Sequence, residues 1–142
     1  MGQRRIKVSG KRPLTIRTVR GLNTGSRIKC IDNSGAKICE IAAVKGYKGT
    51  RGRQPRATIG DMVFVAVKTG TPEYRKKLVK AVITSMKKEF RRPDGTRIKF
   101  EENTCVVVDD EGGPKGSEVK AAIAKEAIER WNKLAKVAKV VV

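Results

Sequence analysis

Short runs of alternating or continuous apolar residues follow one another along the chain after its first 25 residues. Basic and apolar side chains alternate over residues 27–31, and the turn-forming residues 32–35 separate them from a second β-like run at 36–44. Two such runs joined by Asp-Asn-Ser-Gly predict a β-hairpin. On its second strand, alternate positions are expected to share one face: Cys39, Ile41 and Ala43.

Further β-like runs extend the pattern. Residues 62–67 are almost continuously apolar and rich in β-branched side chains, which predicts a strand buried on both faces. Residues 78–86 predict another strand. The segment 87–108 predicts a hairpin that ends in an apolar run, because Pro-Asp-Gly at 93–95 is strong turn chemistry. About five short strands at close spacing predict a small β-barrel, whose closure leaves no unpaired edge.

The periodicity becomes helical after the glycine-rich residues 112–116. Ser117 is a suitable N-cap, and the single tryptophan, Trp131, is expected to pack the helix against the β-body. The apolar end at 137–142 must be covered, either within the chain or by a partner protein. The helical stripe comprises Ala124, Ala127, Ile128, Trp131, Leu134, Ala135 and Ala138.

Basic residues are concentrated in the first part of the chain. The 142 residues carry a formal net charge of +19, and the first 60 hold 15 Lys and Arg against two acids. The 24 residues before Gly25 hold seven bases and no acid, a composition typical of an arm that becomes ordered on binding. Dense positive charge opposes folding by self-repulsion, and Lys and Arg neutralise phosphates. The distribution therefore favours nucleic-acid binding.

The remaining chemistry argues against catalysis and cofactors. The chain has no histidine, and Cys30, Cys39 and Cys105 lack CxxC spacing, which disfavours a zinc site; we expect all three to be buried. Neither a Walker A nor a GxGxxG pattern occurs. The chain has no apolar run long enough to cross a membrane and no apolar signal core. We therefore expect a cytoplasmic protein that is not an enzyme and holds no metal or cofactor.

Two segments concentrate the candidate nucleic-acid contacts. Residues 45–58 contain three glycines, one proline, five bases and no acid, and predict either a basic loop that approaches phosphates or a solvated excursion. The basic hairpin at 87–99 either lies along phosphates or forms a charged solvent face. Tyr47 either stacks on a base or anchors its loop. An aromatic content of 4% favours folded RNA recognised by shape over stacked single strands.

An ordered series of motifs resembles one known family. Asp-Asn-Ser-Gly-Ala-Lys at 32–37 is followed by Gly-Asp-Met-Val at 60–63, Arg-Lys-Lys at 75–77, Ala-Val-Ile at 81–83 and Arg-Pro-Asp-Gly at 92–95. The series continues with Ile98, Phe100, Asn103, Val106, Ala-Lys-Glu at 124–126 and Trp131. Over about residues 26–138 the chain resembles the L-fourteen family of large-subunit ribosomal proteins, in its archaeal or eukaryote-like form.

The resemblance implies a mainly β fold, namely a five-stranded β-barrel with a projecting β-ribbon and a C-terminal helical segment. It also implies a structural role in the large subunit, with binding to large-subunit rRNA and bridges to small-subunit rRNA. Neighbouring large-subunit proteins, including the third in that series, and a subunit anti-association factor are the implied protein partners. We divide the chain into a basic arm (1–24), an RNA-binding barrel (25–116) and a helical segment (117–142).

The candidate RNA-binding residues are one asparagine and the lysines and arginines of these segments. They are Lys29, Asn33, Lys37, Lys45, Lys48, Arg51, Arg53, Arg56, Arg75, Lys76, Lys77, Lys87, Lys88, Arg91, Arg92, Arg97 and Lys99. The alternative function is a free-standing OB-like RNA chaperone or translation regulator, which would bind many single strands with weak preference.

The chain departs from the family pattern in two places. Ala121 and Ala122 stand where relatives often have Gly-Pro, which predicts that two short helices merge into one. Thr84 stands at a usually aliphatic position and predicts a local change in strand packing.

Overall fold

A five-stranded barrel lies at the centre of the computed structural model, which describes residues 18–142. Over these residues the strands are β1 (Leu22–Asn23), β2 (Arg27–Cys30), β3 (Ala36–Val44), β4 (Arg56–Ala57), β5 (Met62–Gly70), β6 (Leu78–Ser85), β7 (Phe90–Arg91), β8 (Arg97–Ile98) and β9 (Thr104–Val107). The barrel closes in the order β2-β3-β5-β6-β9. Its pairs are antiparallel except β2 with β9, which is parallel. The predicted mainly β fold is confirmed.

Burial along the barrel strands follows the sequence pattern with two exceptions. In β5, Val63, Val65 and Val67 fill the interior, but Phe64 is only half-buried on the outer face, so the prediction of burial on both faces holds only in part. In β3, the register shifts between Ile41 and Ala43. A bulge of this kind reverses the alternation, and Ala43 is therefore exposed and does not share the buried face of Cys39 and Ile41.

Two small sheets lie outside the barrel. The two-residue strands β7 and β8 pair across the Pro-Asp-Gly turn and form the expected ribbon. Strand β1 pairs with β4 and places Leu22 in the hydrophobic core. The predicted arm at 1–24 therefore extends too far, since residues 18–24 belong to the folded body, while residues 1–17 lie outside the described part.

The helical prediction for 117–142 is wrong over its first part. Helix α1 spans only Lys125–Arg130, and a 3₁₀ helix follows at Asn132–Lys136. Residues 117–124 have no regular secondary structure and instead form isolated β-bridges at Val119 and Ile123. Tertiary partners hold their backbone groups, since Val119 N–H donates to Val137 O at 3.0 Å and Ile123 N–H donates to Val140 O at 3.0 Å. Donors engaged in this way are not available to a helix.

Two details of the helical prediction change as a result. Ser117 does not cap a helix; its backbone N–H donates to Asn33 Oδ1 at 2.9 Å. Ala121 and Ala122 lie in the irregular segment ahead of α1, so the expected merging of two short helices is wrong. In the predicted stripe, Ala135 is exposed because the chain has passed into the 3₁₀ helix at that position.

Trp131 joins the C-terminal segment to the barrel, as predicted. Its indole N–H donates to Gly60 O at 2.7 Å, and its ring packs over Gly112, where an added Cβ would overlap ring carbon Cε3. Gly60 in turn lies against the backbone of Ala127. Over residues 18–142, no helix is long and apolar enough to cross a membrane.

The barrel interior also contains a small polar cluster and three thiols. Thr84 is fully buried, and its hydroxyl lies 2.8 Å from that of Thr104, which also contacts Ser85 Oγ at 2.6 Å. These contacts satisfy the hydroxyl that Thr84 brings into an apolar strand. The expected burial of the three free cysteines is confirmed.

The Gly112–Trp131 contact generates a stability prediction. We expect Gly112→Ala to lower the free energy of unfolding by at least about 2 kcal/mol, because the methyl group overlaps the tryptophan and φ is +80°. Gly46→Ala is the matched control, since Gly46 has a φ of +76° with open space around it and should lose only about 1 kcal/mol. Denaturant titration measures both; equal losses would contradict the packing role.

Candidate nucleic-acid interface

The barrel carries candidate basic residues at both of its ends. Strands β3 and β5 pair antiparallel over nine residues each, with Ala36 opposite Gly70 at one end and Val44 opposite Val63 at the other. At about 3.3 Å per residue the two ends lie roughly 25 Å apart. We name them the turn end, with Asn33, Lys37, Arg75, Lys76 and Lys77, and the loop end, with Lys45, Lys48, Arg51, Arg53 and Arg56.

At the loop end, the basic loop is fastened to the first described residues. Gln54 Nε2 donates to Thr24 O at 3.3 Å, and the Arg20 guanidinium lies 5.8 Å from the ring centroid of Tyr47. Tyr47 OH also donates to Gln54 O at 3.4 Å, so Tyr47 anchors its loop, one of the two roles left open by the sequence. Arg51 adopts the left-handed region at a φ of 54°, within a turn that the Arg53 N–H closes by donating to Thr50 O at 3.3 Å.

At the turn end, two turns contact each other. Thr71 N–H donates to Gly35 O at 3.0 Å, which brings the first hairpin turn against residues 71–77. Lys76 also has a positive φ of 63°. Asn33 is expected from the sequence to contact RNA, but its side-chain amide is engaged within the protein. Its Nδ2 donates to Ser117 Oγ at 2.7 Å, and its Oδ1 accepts from Ser117 N–H. Its amide therefore mainly holds the C-terminal segment to the turn.

The ribbon emerges at the loop end of the barrel. Lys88 packs against Gly21, where an added Cβ would lie 2.8 Å from the lysine Cβ. Arg97 pairs with Glu89 at 3.2 Å, but the arginine side chain stays 70% exposed. The remaining ribbon bases Lys87, Arg91 and Lys99 are also exposed. The loop and the ribbon base thus form one continuous basic surface.

Arg92 is the candidate that the structure removes from this surface. Its Nε donates to Glu126 Oε1 at 2.7 Å, and its Nη2 donates to Glu126 Oε2 at 3.2 Å and to Val142 O at 2.7 Å. The two side chains are only 10% and 4% exposed. Arg92 therefore fastens the ribbon to α1 and to the C-terminal residues, and it does not belong to the candidate RNA contacts.

Sequence reasoning missed two basic residues. Arg20 falls within the predicted arm, yet it stacks on Tyr47 at the loop end. Arg27 is exposed on the barrel wall and lines a groove together with Lys29, Lys37 and Lys87. The alternation at 27–31 already places Arg27 on the outer face, but only the tertiary fold brings these lysines beside it.

The first hairpin turn is fixed by a partly buried carboxylate. Asp32 Oδ2 accepts from Val107 N–H at 2.8 Å, and Oδ1 accepts from Ser34 N–H at 3.2 Å and from Ser34 Oγ at 2.6 Å. Burial raises the pKa of Asp32 to about 6; the nearby Cys30 adds to this rise, while the bonds from Ser34 and Val107 oppose it. At neutral pH the turn is held by the ionised form.

A family model matches most of the chain. The model described as ribosomal protein L14p/L23e covers residues 21–142. The chain belongs to this family. It is 54% identical over 123 residues to the large ribosomal subunit protein uL14 of Methanothrix thermoacetophila, covering 87% of this chain and 93% of that protein. The uL14 of Methanococcus maripaludis matches with the same identity and coverage, and that of Methanococcus vannielii is 52% identical.

Membership of the L14p/L23e family confirms the archaeal-like resemblance and fixes the protein's general role. It is a structural, ribosome-bound constituent of the large subunit, and the family is not enzymatic. Over residues 18–142, no group of three His, Cys, Asp or Glu side chains is placed to hold a metal ion.

The buried Arg92–Glu126 pair generates the next prediction. We expect Arg92→Ala to destabilise the fold by about 3 kcal/mol, since it leaves the Glu126 carboxylate buried without a partner. Arg91→Ala, which removes an exposed charge from the adjacent position, should change stability by less than about 0.5 kcal/mol. Urea denaturation followed by Trp131 fluorescence distinguishes the two variants. Similar small losses of stability for both would contradict the buried ion pair and would make Arg92 a candidate RNA contact again.

Asp32 generates a prediction about pH. Because its pKa is raised in the folded state, its contribution to stability is largest near pH 4 and is lost as the pH rises through about 6. The free energy of unfolding of the unmodified chain, minus that of Asp32→Asn, should therefore fall over this range and stay level above it. Exposed carboxylates such as Glu111, whose pKa the Lys133 contact lowers, cancel in this difference. A difference independent of pH would contradict the burial effect.

Proposed function

We propose that this uL14 relative binds large-subunit rRNA through both basic ends and thereby contributes to bridges with small-subunit rRNA. The single observation that supports this is the placement of two groups of exposed bases at opposite ends of a rigid barrel. A protein with one basic face suits one RNA surface. Two basic ends roughly 25 Å apart suit two separate RNA segments held at a fixed distance.

The side chains at both ends suit phosphate contacts better than base recognition. Lys45, Lys48, Arg53 and Arg56 at the loop end are exposed. Long basic side chains of this kind neutralise phosphates and release condensed counterions. One basic residue at each end, Arg51 and Lys76, has a positive φ, and such backbone conformations cluster at functional sites.

The C-terminal third suits protein partners. Several of its acids are engaged in ion pairs across the surface, such as Glu111 with Lys133 at 2.7 Å and Glu118 with Lys139. Val140, Val141 and Val142 are about half exposed at the edge of this segment. We propose this surface for contact with neighbouring large-subunit proteins, including the third in the series, and for a subunit anti-association factor.

A sucrose gradient distinguishes this proposal from a free-standing OB-like RNA chaperone or translation regulator. A tagged chain that acts within the large subunit sediments with large subunits and with joined ribosomes. A chain found only in unassembled fractions, with similar affinity for many single strands, would support the chaperone instead.

The loop end generates a quantitative prediction. Replacing Arg51, Arg53 and Arg56 with Ala should weaken binding to large-subunit rRNA and flatten the slope of log affinity against log salt by up to roughly three units, one for each phosphate that is no longer neutralised. Filter-binding titrations over a range of salt measure the slope.

The control removes the same charge from the C-terminal segment. A variant with Lys120→Ala, Lys125→Ala and Lys136→Ala, three exposed lysines, should keep the slope of the unmodified chain. An equal reduction in both variants would show that net charge alone, and not the loop end, determines binding.

A further inference from the structure

A groove runs along the outer wall of the barrel between the two basic ends. It is open to solvent and has a volume of about 560 Å³. The outward-facing residues Lys29 and Ile38 are paired across β2 and β3 and form its wall, and Ile38 is 42% exposed. This exposed isoleucine, surrounded by basic side chains, gives the groove an apolar patch against which a flat ring can pack.

Cations surround this patch on several sides. Arg27, Lys29, Lys37 and Lys87 all line the groove, against one carboxylate, Glu102. The occupant that this charge favours is therefore anionic, with an apolar body. A nucleotide meets both requirements, since its phosphate is negative and its base has an apolar face.

The lone carboxylate is held in a fixed position. Glu102 accepts from Lys29 Nζ at 3.1 and 3.3 Å, and its backbone carbonyl accepts from Ser85 Oγ at 2.9 Å. The Glu102 side chain is nevertheless 54% exposed. An ionised carboxylate only accepts hydrogen bonds and has about four acceptor positions, so acceptor capacity remains for a ligand.

The neighbouring amide is also oriented. Asn103 Oδ1 accepts from Lys87 N–H at 2.8 Å, and Asn103 O accepts from Lys29 N–H at 2.9 Å. With its oxygen engaged, the side chain offers its NH₂ group as a donor. The groove thus presents one acceptor, Glu102, among donors: Asn103 and the four cations.

This arrangement matches one base better than the others. Guanine has two adjacent donors, N1–H and N2–H₂, on its Watson–Crick edge, and two adjacent acceptors, O6 and N7, on the next edge. A carboxylate accepts from both donors together, while Lys, Arg or amide N–H groups donate to O6 and N7. Adenine lacks the paired donors and presents its own N6–H₂ toward the cations.

We propose that the groove holds a single unstacked guanosine of the bound RNA, with Glu102 on its Watson–Crick edge and Ile38 against its ring. The proposal rests on the proposed RNA binding and adds a base-specific contact to it. The lysines around the groove hold the adjoining phosphates. An unstacked base is the feature by which proteins recognise RNA sequence, because paired bases are hidden in the A-form groove.

The test uses the full chain and nucleotide probes. Isotope-labelled protein is titrated by NMR with guanosine, inosine and adenosine 5′-monophosphates, and with inorganic phosphate, at constant ionic strength. We expect guanosine monophosphate to shift the resonances of Lys29, Ile38 and Asn103 and to bind about five- to tenfold more tightly than inosine monophosphate, which lacks the 2-amino donor.

Two variants sharpen the result. Glu102→Gln should abolish the preference for guanosine over inosine, because an amide replaces one acceptor oxygen with a donor. Glu101→Gln, which removes the same charge from the adjacent exposed position outside the groove lining, should leave the preference unchanged. Equal behaviour of these two variants would overturn the proposal.

Other outcomes also decide against it. Shifts of equal size with phosphate alone would reduce the groove to a phosphate site, and shifts with an acidic aliphatic peptide but with no nucleotide would assign it to a protein partner. If no nucleotide binds while the loop-end variant still shows its flattened salt slope, the guanosine site fails and the proposed RNA binding stands. Only a complete absence of rRNA binding would contradict both the guanosine site and the proposed RNA binding.

Discussion

The parallel pairing of β2 with β9 closes the barrel. The separation of the two basic ends and the groove on the barrel wall both depend on this closure. Antiparallel hairpins join β2 to β3 and β5 to β6, but β2 and β9 are distant in sequence and meet only after the sheet has curled round. Asp32 stabilises this closure from the first hairpin turn, because its carboxylate accepts the Val107 N–H just beyond the paired residues. Closure leaves the barrel without an unpaired edge and makes it rigid.

Rigidity allows a small protein to hold charges far apart. The loop end and the turn end both carry positive charge, and the antiparallel pairing of β3 with β5 fixes their separation. The same closure brings Lys29 beside Asn103 and so forms the groove on the wall. The contacts that fasten the C-terminal segment include those of Asn33 with Ser117, Gly60 with Trp131 and Arg92 with Glu126.

Local chemistry makes much of the fold predictable. Alternation along β2, the Pro-Asp-Gly turn of the ribbon and the apolar run of β5 each depend on neighbouring residues, and each element lies where the pattern predicts it. The C-terminal segment does not have the structure that its pattern predicts. Residues 117–124 have a helical pattern of apolar positions, but their backbone N–H groups donate to distant partners. Ala43 departs from its predicted face for a related reason, since a bulge in β3 does not show in the alternation.

For function, the sequence by itself determined the family and the basic character and indicated which residues are candidates for RNA contact, because charge and turn chemistry are properties of the chain. Only the tertiary structure decided how those residues are used. It divided the bases between two ends, joined Arg20 to the loop end and buried Arg92 against Glu126. The physical reason is that a side chain's partner is set by contacts between elements far apart in sequence, which no local pattern contains.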